Sequence, residues 1–268
     1  MQRRQYRLHV LFYCLIMCCV DIHADEFSEA VIKICDDGAE WPPYSYLDRS
    51  QGRKSDQVIG YSVDVISAIF SKHQLKFTVE LLPWARCQER VAAGDDYQLA
   101  LNASYNLERD RTYHLLAPYY SMSNYYFYSL KNHPNGLDID SVQDLKKYSV
   151  CGISGYNYAT YNLSDSEVDQ GTKDFPALIS KLHKGRCDLF VEKYEILAGF
   201  AAIGVPFLSD KALGKAPIPG MASTPFYMML SRNYRYKAKL KKILDNGLDE
   251  MKKSGQLQEI LNQYIPQN

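Results

Sequence analysis

A short polar stretch ending in two arginines carries the clearest binding chemistry in this sequence. Asn102 and Ser104 lie at the end of an apolar run that starts at residue 99, and Arg109 and Arg111 follow. The planar fork of an arginine donates two parallel hydrogen bonds to a carboxylate, and small polar side chains can complete such a site. The residues alone leave two interpretations open, a carboxylate site at Arg109 or an arginine paired with a neighbouring acid on a solvated turn.

The same stretch resembles the amino-acid-binding family of bacterial solute-binding proteins, the periplasmic components of ABC importers. That family has a small polar residue, then a Glu-Arg pair, then an apolar run ending in Pro-Tyr. The counterparts here are Ser104, Glu108-Arg109 and Pro118-Tyr119, at the family's spacing. The resemblance spans about residues 30–264. It implies that Arg109 binds the α-carboxylate of a ligand, with Ser104 and Asn102 beside it.

Two further candidates lie after predicted strands in the first half of the chain. Trp41 begins an aromatic-Pro-Pro-aromatic loop, in which the prolines hold the backbone extended. The family has a similar loop whose aromatic residue stacks on the ligand, which makes Trp41 a candidate contact; a Trp in the lobe's own core is the alternative. Arg86 lies in the first turn of a predicted helix, where it faces either the ligand edge of the sheet or solvent.

The loop Ser154-Gly155-Tyr156-Asn157 is the counterpart of a second family feature. In the family, a glycine with small hydroxyl residues opens a helix whose amide groups bind the ligand's carboxylate. Here the glycine is present, but Tyr156 and Asn157 replace the hydroxyl residues. The resemblance therefore implies Gly155, Tyr156 and Asn157 as ligand contacts with altered side chains.

The largest departure from the family lies at Glu192-Lys193. The family commonly has an aspartate at the end of this strand, where it binds the ligand's α-ammonium group. In this sequence the position of the family's aspartate is occupied by Lys193, and Glu192 is one residue earlier. Either Glu192 takes the role of the aspartate, or Lys193 faces the cleft and favours a ligand with an additional acid group; a solvated pair is the third interpretation.

Strand and helix patterns alternate from residue 30 onward. Strands are predicted at 30–35, 76–82 and 97–101, with helices at 62–73 and 84–93. This order is typical of a parallel, doubly wound α/β sheet, which binds ligands beyond the carboxyl ends of its strands. The resemblance implies the type II two-lobe periplasmic-binding-protein fold, in which each lobe is a mostly parallel sheet flanked by helices and two hinge crossings join them. The predicted division is a leader (1–24), the first part of lobe I (25–130), lobe II (131–222) and the return to lobe I (223–268).

The N-terminus is predicted to be a cleaved signal peptide. A basic segment with Arg3, Arg4 and Arg7 precedes an apolar run over residues 10–20, too short to span a bilayer comfortably. Cleavage near Ala24 would place the mature protein in the periplasm. A lipid anchor at Cys18 or Cys19 and an uncleaved anchor helix are the alternatives.

Four cysteines remain beyond the leader: Cys35, Cys87, Cys151 and Cys187. An even number in an exported chain indicates disulfides, and four cysteines allow three pairings. The two-lobe fold implied by the resemblance places Cys35 with Cys87 and Cys151 with Cys187. Buried free thiols are the alternative, and no Cys-x-x-Cys pair indicates a metal site.

Bulk composition excludes several function classes. The chain has 268 residues, 23% charged and 46% apolar, with a formal net charge of zero, so it has no nucleic-acid footprint. The resemblance predicts a monomeric binding protein without cofactor or metal, which closes on a small carboxylate ligand and delivers it to an ABC permease. A periplasmic enzyme similar to cyclohexadienyl dehydratase, with Glu192 as its acid, and a sensory module are the alternatives.

Overall fold

The structure is a computed structural model that describes residues 26–264. Within this range the chain forms two main β-sheets flanked by helices, which confirms the predicted α/β two-sheet class. The predicted leader, with its cleavage site and its cysteines, lies outside the described residues. No helix in residues 26–264 is long and apolar enough to cross a membrane.

The first sheet is built from the two ends of the described chain. Its strand order is β4-β1-β5-β13-β6, with β7 paired to β13. Strand β1 runs parallel to β4 and β5, and β13 runs antiparallel to β5. The bounds are β1 Val31–Asp37, β4 Lys76–Leu82, β5 Leu99–Ser104, β6 Tyr113–Leu115, β7 Tyr120–Met122 and β13 Thr224–Ser231, while a separate hairpin joins β2 Tyr46–Leu47 to β3 Val58–Ile59.

The second sheet comes from the middle of the chain. Its order is β10-β9-β11-β8-β12, with β9 parallel to its two neighbours and β8 antiparallel to β11 and β12. The bounds are β8 Asn124–Ser129, β9 Val150–Ile153, β10 Val168–Thr172, β11 Leu189–Lys193 and β12 Leu213–Pro217.

Helices cover the sheets with apolar faces. Helix α2 buries Val65, Ile66, Ile69 and Phe70 at helical spacing, and α3 ends at Gly94, whose φ of 83° suits glycine. The bounds are α1 Glu26–Glu29, α2 Tyr61–Lys72, α3 Trp84–Ala93, α4 Leu107–Thr112, α5 Phe175–His183, α6 Tyr194–Gly199, α7 Lys237–Ser254 and α8 Gln256–Tyr264.

The chain passes from the first sheet to the second just before the tyrosine-rich strand β8. This strand pairs with β11 and β12 along its length, and its inward side chain Phe127 stacks on Phe190 of the second sheet. The first crossing therefore lies between Met122 and Asn124, and the second between Pro217 and Thr224. The division of the chain into two moving lobes stays a prediction.

Two disulfides staple the structure, one beside each sheet. Cys35 on β1 is joined to Cys87 on α3, and Cys151 on β9 is joined to Cys187 just before β11. This is the pairing that the two-lobe fold implies. Within residues 26–264, no group of acidic, histidine and cysteine side chains is arranged to hold a metal ion.

Candidate functional site

A small cavity of about 40 Å³ lies where the carboxyl ends of β1 and β5 in the first sheet face β9 and β11 in the second. Both sheets contribute side chains, and the carboxyl-end position is where α/β sheets bind ligands. The lining residues are Asp36, Asp37, Trp41, Trp84, Asn102, Ser104, Arg109, Tyr156, Asn157, Tyr158, Tyr161, Val191, Glu192, Lys193 and Phe226.

Arg109 is the buried cation at one end of this cavity. The Asn106 side chain caps α4 by accepting a hydrogen bond from the Arg109 backbone amide. This cap fixes the backbone position from which the Arg109 side chain extends. The guanidinium is 5% exposed and donates to Gln88 Oε1 (3.2 Å), to the Ser104 carbonyl (3.0 Å) and to the Gly155 carbonyl (3.2 Å). Burial lowers its pKa to about 10, so it stays charged at neutral pH.

The partners of Arg109 are all neutral. No ion pair joins it to a carboxylate within the described chain, so the alternative of a solvated Arg-acid pair does not hold. A buried cation without a counter-charge is costly, because its desolvation is not offset by an anion. The arrangement is therefore suited to receive an anionic group.

Ser104 and Asn157 connect the two sheets beside Arg109. Ser104 Oγ accepts from Arg109 (3.2 Å) and from Asn157 Nδ2 (3.0 Å), and Asn157 Nδ2 also donates to the Tyr105 carbonyl (2.8 Å). The other amide atom, Asn157 Oδ1, is buried and has no hydrogen-bond partner in residues 26–264. It is an acceptor free for a ligand donor.

Asn102 lines the cavity, but its polar atoms are engaged inside the protein. Its Nδ2 donates to Asp36, and its Oδ1 accepts from Ser62 Oγ (2.6 Å), Tyr119 OH (2.7 Å) and Tyr120 OH (2.8 Å). Asp36 also accepts from Ser45, and burial raises its pKa to about 6. Asn102 therefore orders one wall of the cavity, and the ligand contact that the resemblance implies for it stays a prediction.

Asp37 and Tyr156 meet across the cleft. The Tyr156 hydroxyl donates to Asp37 Oδ2 (2.5 Å), and the Ala39 amide donates to Asp37 Oδ1 (2.9 Å). Burial raises the pKa of Asp37 to about 7 and that of Tyr156 well above its usual value. Neither Asp36 nor Asp37 is among the contacts predicted from the sequence. Their position directly after the predicted strand 30–35, at the carboxyl end of β1, is the sequence signal for a site.

Comparison with known proteins identifies the family. A sequence model of "Bacterial extracellular solute-binding proteins, family 3" matches residues 32–267. The chain belongs to this family. Among curated relatives, the "Probable amino-acid-binding protein YxeM" of Bacillus subtilis (strain 168) is 24% identical over 239 residues, covering 85% of this chain and 82% of that protein.

Solved structures share the fold of this solute-binding protein. One is the substrate-binding protein of an amino acid ABC transporter, with a TM-score of 0.67 at 16% identity, covering 89% of this chain and all of that one. Another is the arginine-, lysine-, histidine-binding protein ArtJ of Geobacillus stearothermophilus, with a TM-score of 0.66, 16% identity and coverage of 89% and 96%. A histidine kinase sensor domain has a TM-score of 0.67 at 18% identity, covering 88% of this chain and 96% of that one. At these identities the likeness shows the fold alone.

Glu192 and Lys193 are both buried in this solute-binding protein, at 4% exposure each, so the solvated alternative does not hold. Glu192 Oε1 accepts from the Lys193 amide (2.7 Å), and burial raises the pKa of Glu192 to about 7. Lys193 Nζ donates to Asn124 Oδ1 (2.5 Å), Tyr161 OH (2.7 Å) and Thr224 Oγ1 (3.3 Å).

These contacts separate the roles of the two residues. Because Lys193 Nζ has three donors and three neutral acceptors, its hydrogen bonds are complete within the protein. Burial lowers its pKa to about 8. Two of its partners, Asn124 and Thr224, begin the strands that follow the two sheet crossings. Glu192 retains a carboxylate oxygen with no donor in the described chain, so it is the better candidate for contact with a cationic group.

Trp41 is both a cavity-lining residue and part of the core, and its contact with a ligand stays a prediction. It lines the cavity and is 6% exposed. Its ring meets Tyr156 edge-on with 5.5 Å between centroids, and it packs against Phe175 and Phe226 at 6.5 and 6.1 Å. Trp41 therefore joins the first-sheet side of the cleft to an aromatic cluster that includes second-sheet residues.

Two of the predicted contacts, Arg86 and Gly155, are not among the residues that line the cavity. Arg86 is exposed and does not line the cavity, because α3 turns the face with Trp84, Cys87 and Val91 toward the interior. Gly155 contributes its carbonyl oxygen to Arg109 and Gln88 instead of lining the cavity.

The helix that the family resemblance implies after Gly155 is much shorter in this structure. It is only a single 3-10 turn, Ala159–Tyr161, because Asn162 adopts a left-handed φ of 57° and Tyr158 hydrogen-bonds back to Ile153. An array of helix N-terminal amides is therefore not available at this loop to bind a carboxylate.

Proposed function

We propose that this protein captures an amino acid, or a closely related small carboxylate, by closing two lobes around it, and that the closed form delivers the ligand to an ABC importer. The observation that carries the proposal is the buried Arg109 guanidinium, which has only neutral partners in the described chain. A ligand carboxylate would supply the missing counter-charge through charge-assisted hydrogen bonds. Membership of the solute-binding family and the amino-acid-binding relative support the same function.

The second-sheet side of the cavity offers acceptors for an ammonium group of the ligand. Glu192 has a free carboxylate oxygen, and Asn157 Oδ1 is a buried acceptor without a partner in residues 26–264. Glu192 is on β11 and Asn157 is in the loop after β9, whereas Arg109 is on the first-sheet side. A ligand that contacts both sides of the cleft stabilises the closed state relative to the open state, which is how binding drives hinge closure.

The chain's family is extracellular, so the protein is exported. We propose release into the periplasm after cleavage near Ala24 and action as a monomer that docks on a membrane permease. The predicted leader supports the location. Neighbouring genes for a permease and an ATPase would support import over sensing, and turnover of prephenate or arogenate would instead support the enzyme alternative.

Calorimetric titration of the mature protein, starting at Asp25 with both disulfides formed, tests the function. The ligands are the common L-amino acids, their decarboxylated amines, and acids of matched size without an amine. Binding that requires both the carboxylate and the amine, and that is lost in Arg109→Ala, supports the proposal. Binding of the amines alone, or of none of these compounds, would overturn it.

A further inference from the structure

Tyr156 fills part of the cleft from the second-sheet side. Its ring lies edge-on to Trp41 at 5.5 Å and near Phe175 at 6.5 Å, and its hydroxyl reaches Asp37 on β1. It packs against the core around α2, the core of the second sheet and the core beneath α3. A side chain from the protein thus occupies the space between an aromatic wall and a carboxylate.

The space that Tyr156 leaves is small. The cavity of about 40 Å³ also touches Arg109, Asn157 and Glu192. A cavity needs about 10–15 Å³ to hold one water molecule, so this one has room for roughly three water molecules. This suits a compact molecule of a few heavy atoms and leaves little space for a long side chain.

The position of Tyr156 is fixed by its surroundings. Gly155 has a φ of 81°, and a Cβ there would lie only 3.2 Å from the Ala85 nitrogen and Cβ, so the loop sits tightly on α3. Gln88 and Arg109 both donate to the Gly155 carbonyl. Moving the ring out would break a partly buried hydrogen bond and several aromatic contacts, which together stabilise its present position.

We propose that Tyr156 is a specificity-determining residue that occupies the place of a ligand side chain, so that this protein selects a small zwitterion the size of glycine or alanine. The inference rests on the proposed function and adds the ligand's size class. Arg109 receives the carboxylate, and Glu192 with Asn157 Oδ1 receives the ammonium. Tyr156 excludes longer amino acids by volume, since a packed site resists added methylenes.

Competition calorimetry with three forms of the mature protein tests this. The ligands are glycine, L-alanine, L-glutamine and L-arginine. The wild type is expected to bind glycine or alanine at least about tenfold more tightly than glutamine or arginine. Tyr156→Ala is expected to reduce that preference at least about tenfold by opening the occupied space. Tyr156→Phe keeps the ring but removes the hydroxyl, and it is expected to keep the size preference.

Each outcome decides the inference. Equal or tighter binding of glutamine or arginine by the wild type would overturn the size class while leaving the proposed function intact. An unchanged preference in a folded Tyr156→Ala would remove the role of Tyr156. If that variant does not fold, Tyr156→Leu replaces it, with the same reduced preference expected. Absence of binding by every amino acid, in the wild type and variants alike, would overturn both this inference and the proposed function.

Discussion

The Arg109 guanidinium donates a hydrogen bond of 3.2 Å to the carbonyl oxygen of Gly155, across the cleft between the two sheets. The group best suited to hold a ligand carboxylate is therefore also a contact that holds the cleft closed. On the proposed function, ligand binding and closure share the same atoms, so a change at Arg109 should affect both.

Arg109→Ala is expected to weaken ligand binding by about 2–4 kcal/mol, or roughly 30- to 1000-fold in dissociation constant. The reason is that the ligand carboxylate would then be buried without a cation. Titration calorimetry measures the loss. Arg86→Ala is the matched control, because Arg86 is an arginine that is exposed on α3 and outside the cavity. Equal affinities in the two variants would contradict the assignment.

Asp37→Asn is expected to flatten the pH dependence of stability. Burial raises the pKa of Asp37 from 3.8 to about 7, so the folded protein holds this proton more tightly than the unfolded chain. Its stabilising contribution is complete below about pH 3.8 and is lost as pH rises through about 7. Asparagine has no such proton and still accepts from Tyr156.

The measurement is urea unfolding at about pH 5 and pH 7. The wild type is expected to lose about 2 kcal/mol more than Asp37→Asn between these values, since each pKa unit corresponds to about 1.4 kcal/mol. The pKa values of Asp36 and Glu192 are also raised, and the pKa of Lys193 is lowered to about 8. These groups are present in both proteins, so the difference between variant and wild type isolates the contribution of Asp37. Parallel pH profiles would contradict this account of the buried carboxyl.

Loss of the Cys35–Cys87 disulfide is expected to lower the free energy of unfolding by about 2–5 kcal/mol. This bond joins residues 52 apart, against 36 for Cys151–Cys187, so its removal should cost slightly more in unfolded-chain entropy. Urea titrations of the double alanine variants at each pair give both values. Midpoints that do not change in either variant, or upon reduction of the wild type, would contradict a stabilising role.

Local pattern was enough to predict much of the fold. Strand β4 and helices α2 and α3 lie where periodicity, Pro83 and Gly94 place them, because these signals are encoded within a few neighbouring residues. The sheet membership of β8 was not accessible in this way. Its burial follows from pairing with β11, whose residues are more than 60 positions away in sequence.

The same distinction applies to the site. Arg109 and Trp41 could be recognised from short motifs, whereas the contact between Tyr156 and Asp37 joins residues 119 positions apart. Lys193 lines the cavity but directs its ammonium group at acceptors inside the protein, and these acceptors come from three separate segments. Hydrogen bonds from a buried charge to residues that are far apart in sequence leave no local sequence pattern.

Gly199→Ala is expected to weaken ligand binding about tenfold or more without touching the cavity lining. Gly199 ends α6 on the second-sheet side, and a Cβ there would lie 2.3 Å from the Pro42 carbonyl oxygen in the Trp41 loop. The Pro42 carbonyl is part of the backbone and cannot move aside as the end of a flexible side chain can. The added methyl group would therefore hold the two sides of the cleft apart. Calorimetry gives the affinity, and scattering gives the radius of gyration with ligand. Gly171→Ala is the control, because a Cβ at Gly171 would meet only the side chains of Asp169 and Lys181. Unaltered closure in Gly199→Ala would show that this contact does not limit the cleft.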